Sequence, residues 1–298
     1  MDDFDQASRA LLGTSTRDPN APQASDPRST VDLVALYLGD QESDEARQAL
    51  AVVHYRGGQE EFDTAAKLAR SKVAHERRVA VDILAQLGWQ ERTFLSESVE
   101  ILLDLLNDAD PAVLQAAAIA CGHRKSPLSI ARLVELADHP LSEVRYGVSY
   151  GLAGQDEADA VDALVRLSKD ADRDVRDWAT FALGSQTDLD IPELREALRA
   201  RLTDDDPEIR GEALVGLGRR HDGQLKSAIL AELQGEFHGD WPFEAAEAVA
   251  DPDFIPALES MRKRIGPDQP TRFFDRLDAA LLACKRAKPP SEFAMRPI

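Results

Sequence analysis

The chain has 298 residues, a formal net charge of -19 at pH 7 and a composition that is 43% hydrophobic but only 6% aromatic. This length exceeds what one compact core normally covers, so the chain either divides into domains or grows as a repeat array. The negative surface repels phosphate backbones and anionic lipid, which argues against nucleic-acid or membrane binding and favours a basic or mixed protein partner.

The cysteines and the amino-terminal residues predict where the chain resides. Cys121 and Cys284 lie far apart in apolar helical contexts, as expected of a reduced protein without a disulfide framework. The stretch 1–5 lacks the basic and apolar regions of a secretory signal, and no run of about 18 apolar residues occurs. We therefore expect a cytoplasmic protein without a membrane span.

The two ends of the chain differ in composition from its middle. Residues 13–28 are rich in Asp, Pro, Ser, Thr and Asn, which predicts a flexible amino-terminal arm over 1–28, with a short helix possible at Phe4–Leu12. Helical periodicity then runs from Ser29 to Arg286. Pro289 and Pro290 end it, so we expect a helical domain over 29–288 and a tail over 289–298.

One pattern recurs within the helical span. An acidic or Pro-containing turn precedes an aliphatic anchor, often followed by Arg, with small or apolar residues four, seven and eight places on, as at 174–184 and 206–218. The successive anchors are 30 to 37 residues apart: Ala46, Glu76, Val113, Val144, Val175, Ile209, Trp241 and Phe273.

A second amphipathic helix precedes each anchored helix, so one repeat is a helix A, a turn and a helix B. The eight predicted A helices are Thr30–Leu38, Glu60–Arg70, Leu95–Leu106, Leu128–Ala137, Ala158–Lys169, Ile191–Leu202, Gln224–Leu233 and Phe254–Ile265. Such a pair cannot bury its apolar face alone, so neighbouring pairs must stack. The sequence predicts an all-α fold, an α-solenoid of about eight helix pairs.

The repeat residues carry a resemblance to a known family. Val144-Arg145, the run 175–179 and the run 209–214 resemble the bacterial HEAT-repeat family often labelled PBS-lyase-like, over roughly residues 30 to 286. The resemblance is specific for the fold, because consensus positions of a repeat record packing.

A narrower resemblance is to the enterobacterial YibA-type HEAT-repeat proteins. It is carried by residues 56–59 (Arg-Gly-Gly-Gln) with Arg77-Arg78, by 175–182 and by 244–247. Members of that group are proposed immunity proteins against large Rhs toxins, so the resemblance implies a toxin-neutralising role. A link to survival of DNA damage has also been suggested for such proteins.

Two sets of repeated polar residues are expected to stabilise the stack. The turn aspartates Asp108, Asp170 and Asp204 share one repeat position and can accept hydrogen bonds from N–H groups at a helix start. Arg145, Arg176 and Arg210 each follow an anchor and are predicted to pair with turn carboxylates of the adjacent repeat, forming an inter-repeat ladder.

Two central repeats place aromatic residues where B helices of such solenoids usually present polar side chains. We predict a partner-binding patch whose centre is Tyr146, Tyr150, Asp177, Trp178 and Phe181. Its acidic rim comprises Glu212, Glu244, Glu247 and Asp251. This patch suits a basic protein. The alternatives are that the rings are core residues of slightly rotated helices and that the acids form a solvated face.

No catalytic or metal-binding pattern accompanies the repeats. The six histidines form no HExxH, neither cysteine joins a CxxC, and no GxSxG elbow or phosphate-binding glycine loop occurs. We expect no metal, no cofactor and no enzymatic activity.

The leading hypothesis is a monomeric, non-enzymatic immunity protein or inhibitor that sequesters a basic toxin domain on a concave acidic-aromatic face. The alternatives are a general adaptor, an enzyme or chaperone like the bilin lyases, and a DNA-damage-associated protein. A reader of DNA lesions needs a basic groove, whereas the basic pairs Arg77-Arg78, Arg219-Arg220 and Lys263-Arg264 are scattered.

Overall fold

A computed structural model of the chain describes residues 26–236, 239–265 and 269–287. Over these residues the structure holds sixteen α-helices and no strand, which confirms the predicted all-α fold. The eight A helices are α1 (Thr30–Gly39), α3 (Gln59–Leu68), α5 (Leu95–Leu105), α7 (Ile130–Leu136), α9 (Ala158–Leu167), α11 (Pro192–Arg201), α13 (Lys226–Gln234) and α15 (Ile255–Arg264). The eight B helices are α2 (Asp44–Arg56), α4 (Ala74–Gln86), α6 (Pro111–Arg124), α8 (Ser142–Leu152), α10 (Arg173–Ser185), α12 (Pro207–Arg219), α14 (Trp241–Val249) and α16 (Thr271–Arg286).

The predicted arm and tail lie almost wholly outside the described residues. Of the arm, only Asp26 to Arg28 are described, and Arg56 donates hydrogen bonds to the carbonyl oxygens of Asp26 (2.6 Å) and Arg28 (2.7 Å). Arg28 in turn pairs with Asp26 at 2.7 Å. These three residues are therefore attached to the first helix pair.

The chain divides between Leu102 and Leu103 into two compact units, which we call unit 1 and unit 2. In unit 1 the first two helix pairs, α1 with α2 and α3 with α4, pack against each other. In unit 2 each B helix from α6 to α16 packs on the next B helix, and each pairs with its own A helix from α7 onward. Stacking in sequence order within a unit is the arrangement that the repeat pattern predicts.

The predicted anchors of the central repeats form the core of unit 2. Val113, Val144, Val175 and Ile209 are each 0% exposed, and so are the small residues four places later, such as Ala179 and Ala213. Small side chains at this position let adjacent B helices approach closely. The predicted buried anchors are therefore confirmed for the four central repeats.

In the second, seventh and eighth repeats the sequence predicts the wrong residues as buried anchors. The predicted anchors Glu76, Trp241 and Phe273 are all partly exposed. The buried positions are taken instead by Val79, Phe243 and Leu277, each 0% exposed. These repeats depart most from the consensus, and with 3.6 residues per turn a shift of two to four places selects another residue for the same face.

Aspartates cap three of the six B helices of unit 2, but they are not the aspartates that the sequence suggested. The side chains of Asp110, Asp172 and Asp206 accept backbone N–H bonds in the first turns of α6, α10 and α12. The predicted turn aspartates lie two residues earlier. Asp108, for example, accepts the N–H of Asp110 at 2.8 Å, which holds the capping residue in place.

Candidate functional site

The predicted patch centre is a continuous ring cluster between α8 and α10. Trp178 lies edge-on to Tyr146 with ring centroids 6.0 Å apart, 4.8 Å from Tyr150 and 5.5 Å from Phe181. Tyr150 also contacts the His123 ring of α6 at 5.2 Å. Tilted and edge-on geometries of this kind add to the stability of aromatic pairs.

Most of this cluster is buried, which overturns the expectation that it faces outward. Trp178 is 1% exposed, Tyr150 3% and Phe181 9%, and the Asp177 carboxylate beside them is 0% exposed. Of these four rings, Tyr146 alone belongs to a half-buried residue. The alternative interpretation, that these rings belong to the core, is correct for all of them except Tyr146.

The predicted rim residue Glu212 is also buried, at 5% exposure. Its carboxylate accepts the indole N–H of Trp241 at 3.1 Å. A Cβ on Gly211 or on Gly239 would lie 2.5 Å or 2.1 Å from that indole, so the two glycines enclose the ring. Glu212 therefore positions Trp241 and cannot form part of an exposed rim.

The remaining rim acids are half-buried, and two of them are already paired. Glu244 binds Arg219 at 2.9 Å and lies 3.7 Å from Arg276. Asp251 binds Lys226 at 2.8 Å. Burial opposes its ionisation, but hydrogen bonds from Lys226 and from the Asp253 N–H, with the charge of Lys226, together outweigh burial and lower the pKa of Asp251. Within the part of the chain that the structure describes, Glu247 makes no ion pair.

The predicted inter-repeat ladder is confirmed for two of its three arginines, Arg145 and Arg176. Arg145 donates two hydrogen bonds to Asp170 (2.7 and 2.8 Å), and Arg176 donates two to Asp204 (2.8 and 3.2 Å). Each arginine also donates to a carbonyl of its own turn, 2.9 Å away in both cases. Two parallel bonds to one carboxylate fix the geometry of the pair, so each arginine ties two repeats together.

The third arginine of the ladder pairs with a different kind of acid, and among the described residues the junction between α6 and α8 has no arginine–carboxylate pair of this kind. Arg210 pairs at 2.7 Å with Glu232, which lies on helix α13 instead of in a turn. Between α6 and α8 the arginine position holds Leu114 and the aspartate position holds His139. His139 Nδ1 accepts the N–H of Leu141 at 3.2 Å. The ring therefore accepts the turn N–H as the aspartate does in the other repeats, but it has no arginine at the ladder position to pair with.

Most side chains of the basic pairs that a nucleic-acid site would need form bonds with other residues of the fold. Arg220 is 9% exposed and donates to five backbone carbonyl oxygens. Arg219 pairs with Glu244, Arg78 with Asp82, and Arg264 donates to the carbonyls of residues 233–235. These guanidinium groups are therefore committed to structural bonds.

The buried titratable side chains suit a structural role. Burial raises the pKa of Cys121 to about 12 and that of Cys284 to about 11, so both thiols stay protonated at neutral pH. Burial, with repulsion from Arg124, lowers the pKa of His123 to about 4. Among the described residues no group of His, Cys, Asp and Glu has metal-binding geometry, and no helix there is both long and apolar enough to cross a membrane.

Comparisons with known proteins agree with this architecture. A family profile for HEAT repeats matches residues 63–153, 99–184, 133–218 and 161–250, which together cover more than half of the chain. Protein YibA of Escherichia coli (strain K12) is 27% identical over 232 residues, which are 75% of this chain and 82% of YibA.

Two solved structures show a similar fold. The X-ray structure of Escherichia coli YibA has a TM-score of 0.66 at 24% identity and covers 92% of this chain and 100% of its own. A Kap121p mutant has a TM-score of 0.60 at 14% identity, with 88% of this chain and 35% of its own covered. At these identities the structural likeness shows the fold alone.

Proposed function

Since the chain belongs to the HEAT-repeat family, we propose that it works without catalysis, as a binding protein that holds another protein on the B-helix face of unit 2. In such repeats the recurring positions stabilise the stack, and the residues that vary between repeats are free to contact a partner. Tyr146 is such a residue, because no other central repeat has tyrosine at this position; it is half-buried, and its ring lies edge-on to buried Trp178. Rigid aromatic rings of this kind are frequent energetic centres of interfaces.

A basic partner is supported by the surplus of acid that the fold leaves uncompensated, and this observation carries the proposal. The chain has 54 acidic against 35 basic residues. Several exposed or half-buried acids make no ion pair with any described residue. Glu247 lies on the B helix α14, and the others lie on the A helices α9 and α11 and add to the long-range field: Asp159, Asp162, Glu193 and Glu196. Such a field attracts a cationic protein and speeds its association.

The proposed contact surface is narrower than the patch predicted from the sequence. We assign direct contact to Tyr146 and Glu247, with Glu244 and Asp251 beside them. The five buried members of the patch, Tyr150, Asp177, Trp178, Phe181 and Glu212, act behind this surface by fixing the positions of the residues in front.

Toxin immunity is the specific role that we propose. The likeness to YibA-type proteins suggests it, and a nuclease domain offers a suitable basic partner because its own substrate is a polyanion. Inhibition then requires only that the bound solenoid covers the basic active surface of the toxin.

Co-expression with the toxin-like gene adjacent in the native genome tests this role. We expect growth to be rescued, and titration calorimetry of the purified pair to give a Kd that weakens by about thirtyfold in Tyr146→Ala, the loss typical of an aromatic hot spot. Glu247→Lys should weaken binding too. Glu196→Lys, on the A helix α11, is the matched control: it makes the same change in the long-range field but not in the contact surface, so it should weaken binding less than Glu247→Lys.

Each competing function predicts a different result. Binding without rescue of growth would indicate a general adaptor and reject immunity, and unchanged affinity in Tyr146→Ala would reject the assigned surface. Tight DNA binding in a gel-shift assay at moderate salt would reject a basic protein partner, and a coloured complex with a bilin would support a lyase-like role instead.

A further inference from the structure

The B helices of unit 2 are held apart by two different kinds of contact. Between α6 and α8 the backbones touch: a Cβ on Gly147 would lie 2.7 Å from the Gln115 carbonyl oxygen, and one on Gly151 would lie 2.5 Å from that of Ala118. Between α10 and α12 a Cβ on Gly216 would lie 2.5 Å from the Gly184 Cα. At both junctions the facing backbones therefore leave no room for a side chain at these glycines.

The junction between these two, α8 with α10, is built from rings instead. Trp178 projects from α10 onto Tyr146 and Tyr150 of α8. A junction filled by rings thus lies between two junctions at which glycines meet the neighbouring backbone.

We infer that Trp178 is a positioning residue that sets the spacing of α8 and α10, and with it the local curvature of the B-helix face that carries Tyr146. Interaxial distances in helix pairs span about 8 to 10 Å according to the side chains at the contact. Because the indole is 1% exposed and is the largest side chain of the junction, its volume decides where in that range this pair lies. The inference needs no partner and stands apart from the proposed function.

Spin labels at one repeat position measure the spacing of each junction. Ala112, Glu143, Asp174 and Glu208 all directly precede an anchor, on α6, α8, α10 and α12, and are exposed or half-exposed. The native thiols of Cys121 and Cys284 are buried, so cysteines introduced pairwise at these positions take the label selectively. Double electron–electron resonance then reports the mean distance across each junction in the full chain.

In Trp178→Ala we expect the Glu143–Asp174 distance to shorten by about 1 to 2 Å, the width of the range open to packed helices. The Ala112–Glu143 distance should stay unchanged. Gly216→Ala is the opposing control: its new Cβ must push α10 and α12 apart, so the Asp174–Glu208 distance should lengthen. If Trp178→Ala does not fold, Trp178→Leu is measured in its place.

A merely stabilising tryptophan gives a different outcome. If the folded Trp178 variant melts earlier but keeps the wild-type Glu143–Asp174 distance, its volume does not set the spacing. If the Ala112–Glu143 distance shortens by the same amount, the change is general and not confined to the ring junction. Either result overturns the inference, while a shortening confined to α8 and α10 supports it.

Discussion

Unit 1 and unit 2 are built from the same helix pairs but stabilised in different ways. In unit 2, the Arg145–Asp170 and Arg176–Asp204 pairs repeat one geometry at successive junctions. In unit 1, the loop between α4 and α5 is held by contacts that occur once, such as the Tyr55–Trp89 ring stack at 5.8 Å. A repeat fold thus combines periodic interactions with local ones that follow no period.

The loop of unit 1 is unusual in its backbone as well. Trp89, Arg92 and Phe94 all have positive φ angles, between 45° and 51°. Left-handed residues of this kind cost free energy and persist only where their surroundings hold them. Here the Thr93 hydroxyl donates to the Gly57 carbonyl oxygen at 2.7 Å, and Phe94 stacks on Phe62 at 4.7 Å.

The largest effect is expected at Gly88, where this non-periodic region has least room. Gly88 has a φ of 74°, and a Cβ there would lie 2.2 Å from Thr93 Oγ1 and 2.5 Å from its backbone nitrogen. We expect Gly88→Ala to lower the free energy of unfolding by about 2 to 4 kcal/mol, combining left-handed strain with overpacking. Urea denaturation followed by circular dichroism measures the change.

Gly39→Ala supplies the matched control within unit 1. A Cβ at Gly39 meets no atom within 4 Å, and alanine favours the helix that Gly39 ends, so stability should change by less than about 1 kcal/mol. Equal effects of the two substitutions would show that the loop tolerates a side chain and that its irregular contacts do not govern the stability of unit 1.

The periodic part of this architecture was predictable from sequence, and the reason is repetition. Arg145, Arg176 and Arg210 each follow a buried anchor, so their common position predicts a common role, and each indeed pairs with an acid of the next repeat. The α-solenoid follows from the same argument, because an apolar face that recurs at one spacing must be buried by stacking.

The non-periodic features could not be predicted in the same way. Trp178 lies three places after its anchor, a position expected to face outward, yet the ring is buried because Tyr146 and Tyr150 of the neighbouring helix enclose it. Sequence does not specify which rings of two helices meet. Nor does the composition of residues 87–94 predict left-handed Trp89 or Phe94, since neither residue type favours that conformation.

The next largest effect is expected at the Arg–Asp pairs of the ladder. Measuring two of these pairs tests whether their contribution to stability is the same at successive junctions. In a double-mutant cycle of Arg145→Met and Asp170→Asn, we expect a coupling energy of about 1 to 3 kcal/mol, because two charge-assisted hydrogen bonds join the side chains. The same cycle at Arg176 and Asp204 should give a value within about 0.5 kcal/mol of the first.

An ordinary surface pair of unit 2 provides the reference for these cycles. Arg132 and Glu135 lie one turn apart on α7, with 34% and 66% of their side chains exposed. Their coupling should be no more than about 0.5 kcal/mol. If the coupling energies of the Arg–Asp pairs are as small as that of Arg132 and Glu135, the Arg–Asp pairs do not stabilise the stack.

Lowering the pH should weaken the same Arg–Asp pairs. The loss of stability for each aspartate should be the smallest of these effects. Burial opposes ionisation of Asp170 and Asp204, but hydrogen bonds from Arg145 and Arg176 and from turn N–H groups outweigh it and lower the pKa of both carboxyls below the ordinary 3.8. A lowered folded-state pKa means that the stabilisation is complete above about pH 4 and is lost as the pH falls through the folded-state values.

We therefore expect the urea midpoint of the wild-type chain to fall as the pH is lowered from about 5 to about 2. The fall should be smaller in the Asp170→Asn, Asp204→Asn variant, whose amides take up no proton. The fall should not vanish in this variant, because the pKa values of Asp206 and Asp222 are lowered as well. Burial opposes ionisation of these two carboxyls, but their arginine partners and turn N–H groups together outweigh it. Identical slopes in the two proteins would place the acid sensitivity outside the ladder, since the carboxylates of Asp170 and Asp204 would then bind protons equally in the folded and unfolded chain.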